Sequence, residues 1–433
     1  MSGDWRTTHK EKLVSAAEAL RSVKSHNRVL LHTTASEPPA LLDALAARGP
    51  ELENVEVITM YALGPEKGYA KAEMAGHFHV NGLFLSPPTR KAVHEFRGDF
   101  TPCMYSEIPR LFTDGILPVD VFLIQITPPD ADGYCSFGLS ADYARAGVEN
   151  AKIVIAQMNR NYPRTNGDKV HLNELTYIVE EDSPVFQLVP PQVGEIERQI
   201  AYNVAGLIPD GATLQLGIGG IPDTVLTFLT DKKDLGIHSE MFSDGVVTLA
   251  EAGVITNKRK TLHPGKFICT FLMGTQKLYD FVHDNPDVEM RAVDYVNDPC
   301  VIGQNENMIS INSALQIDLT GQINAETIGS TMYSGIGGQL DFVYGASRSK
   351  GGKAIFALSS TAAKGTVSRI TCQLAHGAGV TTPRGLAHYV VTEQGVANLR
   401  GKSLRQRAAA LIAIAHPDFR ESLTKEAKSL GLL

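Results

Sequence analysis

One layout occurs twice in this chain: a helix, a polar turn, an apolar strand, a loop of small residues and a helix opened by proline. In the first copy Leu13, Ala17 and Leu20 recur at helical spacing, His26-Asn27-Arg28 turns, and Val29-Leu30-Leu31 begins a strand. In the second, Ile196, Ile200, Val204 and Leu207 form the helical stripe, Pro209-Asp210-Gly211 turns, and Thr213-Leu214-Gln215-Leu216 is the strand. From there one ungapped offset of 184 (214 minus 30) pairs Leu30 with Leu214, Pro38 with Pro222 and Leu42 with Leu226. The economical explanation is two related α/β halves, although any two strand-loop-helix units share such a layout. Apolar runs such as Val121-Phe122-Leu123-Ile124 and Ile153-Val154-Ile155 alternate with helical stretches, the pattern of strands buried on both faces of mainly parallel sheets. The boundary is expected at Pro190-Pro191, after the acidic turn Glu180-Glu181-Asp182, giving an N-terminal domain of residues 1–189 and a C-terminal domain of residues 190–433.

Composition narrows the function classes. With 40 Lys plus Arg against 47 Asp plus Glu, the net charge is −7, and the basic face that would neutralise nucleic-acid phosphates is missing. Cys103, Cys135, Cys269, Cys300 and Cys372 are odd in number and far apart, without C-x-x-C spacing, and read as reduced, mostly buried thiols. Asp4, Arg6 and Lys10 precede Leu13 in place of an apolar signal core, and no run approaches the ~18 apolar residues of a membrane span. A cytoplasmic enzyme without nucleic-acid or membrane partners is the expectation.

The loop Gly217-Ile218-Gly219-Gly220-Ile221-Pro222-Asp223 lies between a strand and a helical pattern starting at Thr224. Its glycines let a ligand approach the backbone, and free N–H groups at a helix start favour a phosphate or a developing oxyanion. A purely structural tight turn accounts for these residues equally well. Pro222 stands where a dinucleotide fingerprint needs its last glycine, and no P-loop lysine is present. Gly-Ile-Gly-Gly recurs at Gly335-Ile336-Gly337-Gly338, so two glycine loops could line one ligand. Downstream, Arg348, Lys350 and Lys353 form either a phosphate clamp or, more simply, a solvated basic loop.

Between the glycine loops lies Ile237-His238-Ser239-Glu240-Met241-Phe242-Ser243-Asp244-Gly245. Read as one strand, it puts His238, Glu240 and Phe242 on one side, with Glu240 at the end of an apolar element. A carboxylate beside an oxyanion site can act as a covalent nucleophile on an activated acyl group. His77 and His79 lack the partners of a zinc site, no G-x-S-x-G elbow occurs, and Asp130-Ala131-Asp132-Gly133-Tyr134 reads as a polar turn.

Taken together, the Gly217–Asp223 and His238–Gly245 segments resemble the acetyl-CoA hydrolase/transferase family, nearest its branch of 4-hydroxybutyrate and butyrate coenzyme A-transferases. The likeness runs on through Pro128 to Tyr134, Asp318-Leu319-Thr320-Gly321-Gln322, Gly335 to Phe342 and Val391 to Lys402. It implies two class I coenzyme A-transferase domains with the active site between them, and it assigns Glu240 as the carrier of a glutamyl-CoA thioester. It further implies coenzyme A contacts at Gly217, Ile218, Gly219, Gly220, Ile221, Leu315 and Gly338. Gln394 and Asn398 stand where the family pattern has Tyr and Asp.

The expected chemistry is transfer of coenzyme A between a short-chain acyl-CoA and a free carboxylate such as acetate, butyrate or 4-hydroxybutyrate. Coenzyme A is a substrate in this scheme, with no tightly bound cofactor and no metal. Acyl-CoA hydrolysis and non-catalytic coenzyme A binding are the rival functions. A homodimer or larger homo-oligomer is the default for such an enzyme.

Overall fold

The computed structural model describes residues 5–189, 192–217 and 219–433, so Ile218 and the Pro190-Pro191 boundary marker lie outside the described residues. The chain divides into two compact units. One takes the described residues up to Leu188 together with Cys269–Tyr295; the other takes Val189–Ile268 and Val296–Leu433. Each unit is therefore discontinuous in sequence.

The first unit is built on a seven-stranded sheet. Its spatial order is Tyr177–Glu180, Ala151–Met158, Val119–Ile126, Arg28–Leu31, Val55–Thr59, Phe78–Gly82 and Gly98–Phe100. All neighbours are parallel. The interior strand Val119–Ile126 is buried at seven of its eight positions, as its continuous apolar run requires when both faces are covered. Helix Pro39–Ala47 packs Leu41, Leu42 and Leu45 into one cluster with Val29, Leu31 and Val57. Each such leucine contributes roughly 1.5–3 kcal/mol by leaving water. Leu13 lies outside the expected helix: it bridges to Ile178, and a short helix begins at Ala16 under a Ser15 cap.

The second unit repeats the strand-loop-helix opening. Strand Thr213–Leu216 lies between short edge segments and the parallel strands Met308–Ser313, Lys353–Ala357 and Tyr389–Thr392, after which Gly395–Asn398 closes an antiparallel hairpin. The offset pairs hold in the strands and in the helical leucines: Leu30 and Leu214 are strand residues, and Leu42 and Leu226 face the core. The helix onsets differ, because Pro38 precedes Pro39–Ala47 whereas Pro222 is the third residue of Gly220–Thr227. Of the second helical stripe, Ile200 and Val204 are buried in helix Glu195–Ala205, Ile196 is half exposed, and Leu207 falls past its end.

Among the described residues no disulfide forms; Cys135, Cys269 and Cys372 are buried, and Cys300 is exposed. No helix there is long and apolar enough to cross a membrane. Asp130 closes the expected polar turn, its side chain accepting the N–H groups of Asp132 and Tyr134.

Candidate active site

The segment around Glu240 is not one strand. Gly236–Ile237 runs parallel to Thr213-Leu214, whereas Met241–Phe242 returns antiparallel, with Met241 opposite Leu216. Between them the chain reverses at Ser239 and Glu240. Because the extended backbone is broken there, the two-sided alternation read from the sequence does not apply. Ser239 replaces the lost ladder bonds, its hydroxyl accepting the Leu216 N–H at 3.1 Å and donating to the Met241 carbonyl at 2.6 Å. The buried His238 donates from Nε2 to the Val296 carbonyl at 2.8 Å, which ties the bend to the residue before Asn297.

Glu240 thus projects at a reversal whose flanking residues, from Leu235 to Phe242, are otherwise buried. Asn297, fully buried, donates from Nδ2 to Glu240 Oε2 at 2.9 Å and lies 3.4 Å from Asp341 Oδ2. The Gly338 backbone lies beside the carboxylate and favours its ionised form. Gly338 is demanded by space: a Cβ there would sit 1.8 Å from Glu240 Oε2 and 2.3 Å from Asn297 Nδ2. Desolvation pushes the Glu240 carboxyl up to about 7, the Asp341 charge adds to the rise, and the Asn297 amide and Gly338 N–H oppose it. A carboxylate poised near neutrality, with the Asn297 amide already aimed at it, suits nucleophilic work at physiological pH.

The first glycine loop sits at the end of strand Thr213–Leu216, with the Gly217 N–H bonded to the Ile311 carbonyl at 3.0 Å. Gly219 has φ +122°, a conformation that a side chain resists, and from it helix Gly220–Thr227 starts. Asp223 of this helix accepts a hydrogen bond from the Ser243 hydroxyl, so the two motifs are joined directly. Burial raises the Asp223 carboxyl, opposed by that bond and assisted by Asp244.

Gly220 and Ile221 line a cavity of about 400 Å³ with Leu315 and Arg369. Gly338 adjoins Glu240 instead, and the Gln339 side chain, next in sequence, donates to the Ser313 carbonyl on the cavity wall at 2.8 Å. The expected site residues therefore fall into two adjoining groups. The basic segment has other contacts: Lys350 pairs with Glu306 at 3.1 Å, Lys353 donates to the Leu207 carbonyl at 2.6 Å, and Arg348 lies over the Tyr344 ring. His77 bonds the Leu52 carbonyl and His79 pairs with Asp99.

Asn297 and Arg369 were not found from the sequence, and Asp341 was seen only as a member of the second glycine-loop segment. Asn297 is 57 positions from Glu240, in a stretch without motif character. Gly338 was legible through the repeated Gly-Ile-Gly-Gly and the family resemblance.

Known proteins resemble this chain over nearly its whole length. The profile of the acetyl-CoA hydrolase/transferase N-terminal domain matches residues 2–190, and that of the C-terminal domain matches residues 274–427. A 4-hydroxybutyrate coenzyme A transferase of Clostridium kluyveri is 55% identical over 98% of this chain and 99% of its own. The crystal structure of RipA from Yersinia pestis superposes with a TM-score of 0.93 at 39% identity, covering 99% of this chain and 100% of the other. That of a 4-hydroxybutyrate CoA-transferase from Porphyromonas gingivalis gives a TM-score of 0.85 at 42% identity, covering 98% and 100%. The chain belongs to the acetyl-CoA hydrolase/transferase family of enzymes.

Proposed function

We propose that this enzyme transfers coenzyme A from a short-chain acyl-CoA to a free carboxylate through a glutamyl-CoA thioester on Glu240, with 4-hydroxybutyrate, butyrate and acetate as the acids. The observation that carries the proposal is the Glu240 carboxylate held by the Asn297 amide at 2.9 Å, with Gly338 so close that a Cβ there would sit 1.8 Å from Oε2. Relatives named for 4-hydroxybutyrate transfer support the choice of acid.

Ionised Glu240 attacks the thioester carbonyl; the C–S bond breaks, leaving an acyl-glutamyl anhydride and coenzyme A thiolate. The thiolate attacks the glutamyl carbonyl, the first carboxylate leaves, and glutamyl-CoA remains. A second carboxylate attacks that carbonyl and re-forms an anhydride with release of thiolate. The thiolate then takes the new acyl group and frees Glu240. Each tetrahedral intermediate centred on the glutamyl carbon develops negative charge beside the Gly338 N–H, an interaction typically worth about 3 kcal/mol per donor.

Gly217, Ile218, Gly219, Gly220, Ile221 and Leu315 are assigned to coenzyme A binding, and Gly338 both to coenzyme A contact and to the oxyanion. Coenzyme A enters as a substrate, and the steps above use no other cofactor. The duplication is read as halves 1–189 and 190–433, the second carrying Glu240. The enzyme is placed in the cytoplasm, on its cysteine pattern, and is taken to act as a homodimer or larger homo-oligomer.

The test is peptide mass mapping after incubation with butyryl-CoA and borohydride. Reduction of Glu240 to the alcohol is expected. Glu240→Ala should abolish transfer, and Glu240→Asp, one methylene short, should lose most of it. Near wild-type turnover by the Ala variant overturns the assignment, and thiol release without an acceptor acid would make the enzyme a hydrolase.

A further inference from the structure

Arg369 lines the glycine-loop cavity and has no part in the transfer steps. Its backbone is fixed from both sides: the N–H donates to the Ser360 carbonyl, and the carbonyl accepts from the Ile317 N–H, each at 2.9 Å. The side chain reaches the wall formed by Gly220, Ile221 and Leu315. There Nη1 donates to the Ala314 carbonyl at 3.3 Å, whereas the buried Nε has no hydrogen-bond partner among the described residues. No carboxylate among them lies within ion-pairing distance of the guanidinium. A half-buried cation without a counter-charge is costly, and that cost is relieved when an anion arrives.

We propose that Arg369 receives a phosphate of the coenzyme A nucleotide. This rests on the coenzyme A reading above. The guanidinium fork matches phosphate oxygens, and its pinned backbone means little freedom is lost on binding. The alternative anion, the reacting carboxylate, is disfavoured by position. Glu240 is not on this cavity's wall, and an acid of two to four carbons must meet the Glu240 carboxyl at about 3–3.5 Å to react. Coenzyme A carries its phosphates at the end remote from its thiol, so one molecule can reach both places. The Gln339–Ser313 hydrogen bond joins the Gly338 end of the site to this cavity.

The experiment compares butyryl-CoA with butyryl-pantetheine, which lacks every phosphate, as donors to acetate. For Arg369→Gln, kcat/KM with butyryl-CoA is expected to fall roughly 10- to 100-fold, the worth of a charge-assisted contact, while butyryl-pantetheine stays within about twofold of wild type. Arg369→Lys, which keeps the charge but not the fork, should lie between them. Equal losses on both thioesters, no loss on either, or a rise confined to the KM for acetate overturns the proposal. If Arg369→Gln does not fold, an unchanged thioester ratio in Arg369→Lys overturns it. A wild-type protein that transfers nothing from butyryl-CoA would instead sink the transfer reading itself.

Discussion

Replacing Gly338 by Ala should leave a folded enzyme that turns over on the order of 100-fold more slowly. The added methyl would start 1.8 Å from Glu240 Oε2, and real Cβ atoms essentially never come within 3.0 Å of such a neighbour, so the carboxylate must retreat by at least 1.2 Å (3.0 minus 1.8). The backbone itself takes alanine readily, since Gly338 has φ −94°. What must yield is the end of a flexible glutamate, with the Asn297 amide 2.3 Å from the new methyl moving as well. A displacement of this size at a reacting atom costs on the order of 100-fold in rate, before any loss of the Gly338 N–H contact is counted. Stability should change little, with Tm shifting by no more than about 4 °C, the equivalent of ~1 kcal/mol in a unit of this size. The assay is initial-rate transfer from butyryl-CoA to acetate beside a thermal melt of the same preparation. A Gly338→Ala enzyme within about threefold of wild type refutes the account of the site.

Two further outcomes concern protons. Because the nucleophile must be ionised and Glu240 sits at about 7, kcat should rise with pH through neutrality. Asn297→Ala removes a donor that favours the ionised form and should move that limb upward by about one unit, whereas Asp341→Asn removes a like charge and should move it downward. A limb that shifts the same way in both variants contradicts these roles. In the first unit, burial pushes Asp142 up to about 7, against hydrogen bonds that include the Tyr105 hydroxyl. As pH rises from about 4 towards 7, the unfolded chain releases a proton that the folded chain keeps, so Asp142 lowers stability progressively, with the full effect above about 7. Asp142→Asn should therefore raise the urea midpoint at pH 8, by an equivalent of roughly 1–3 kcal/mol, and have little effect near pH 4.5; an equal gain at both would refute the linkage.

Much of the architecture was legible because it is written in local patterns. Continuous apolar runs such as Val121 to Ile124 announce strands covered on both faces, and the paired leucines at 30 and 214 mark the repeated strand-loop-helix opening. The apolar stripes also located the helices, though not their ends: Leu13 and Leu207 fall outside them because bridging and chain exit compete with helix periodicity there. Glu240 was legible as a candidate through its neighbours in sequence, a glycine loop before it and another after.

What surrounds Glu240 was decided in three dimensions. The sequence suggested a straight strand through Glu240, but pairing in opposite senses at Ile237 and Met241 forces a reversal, and Ser239 takes over the missing ladder bonds. Asn297, Gly338 and Asp341 arrive from separate elements, and no periodicity relates them to Glu240. A carboxyl's proton affinity reflects the water removed and the charges and donors brought within a few ångströms, quantities that chain order does not encode. The same holds for Arg369, whose proposed role comes from a cavity wall and from the lack of an ion-pairing carboxylate among the described residues. Sequence alone determined the α/β elements and nominated the nucleophile; tertiary packing set its orientation, its proton affinity and the company it keeps.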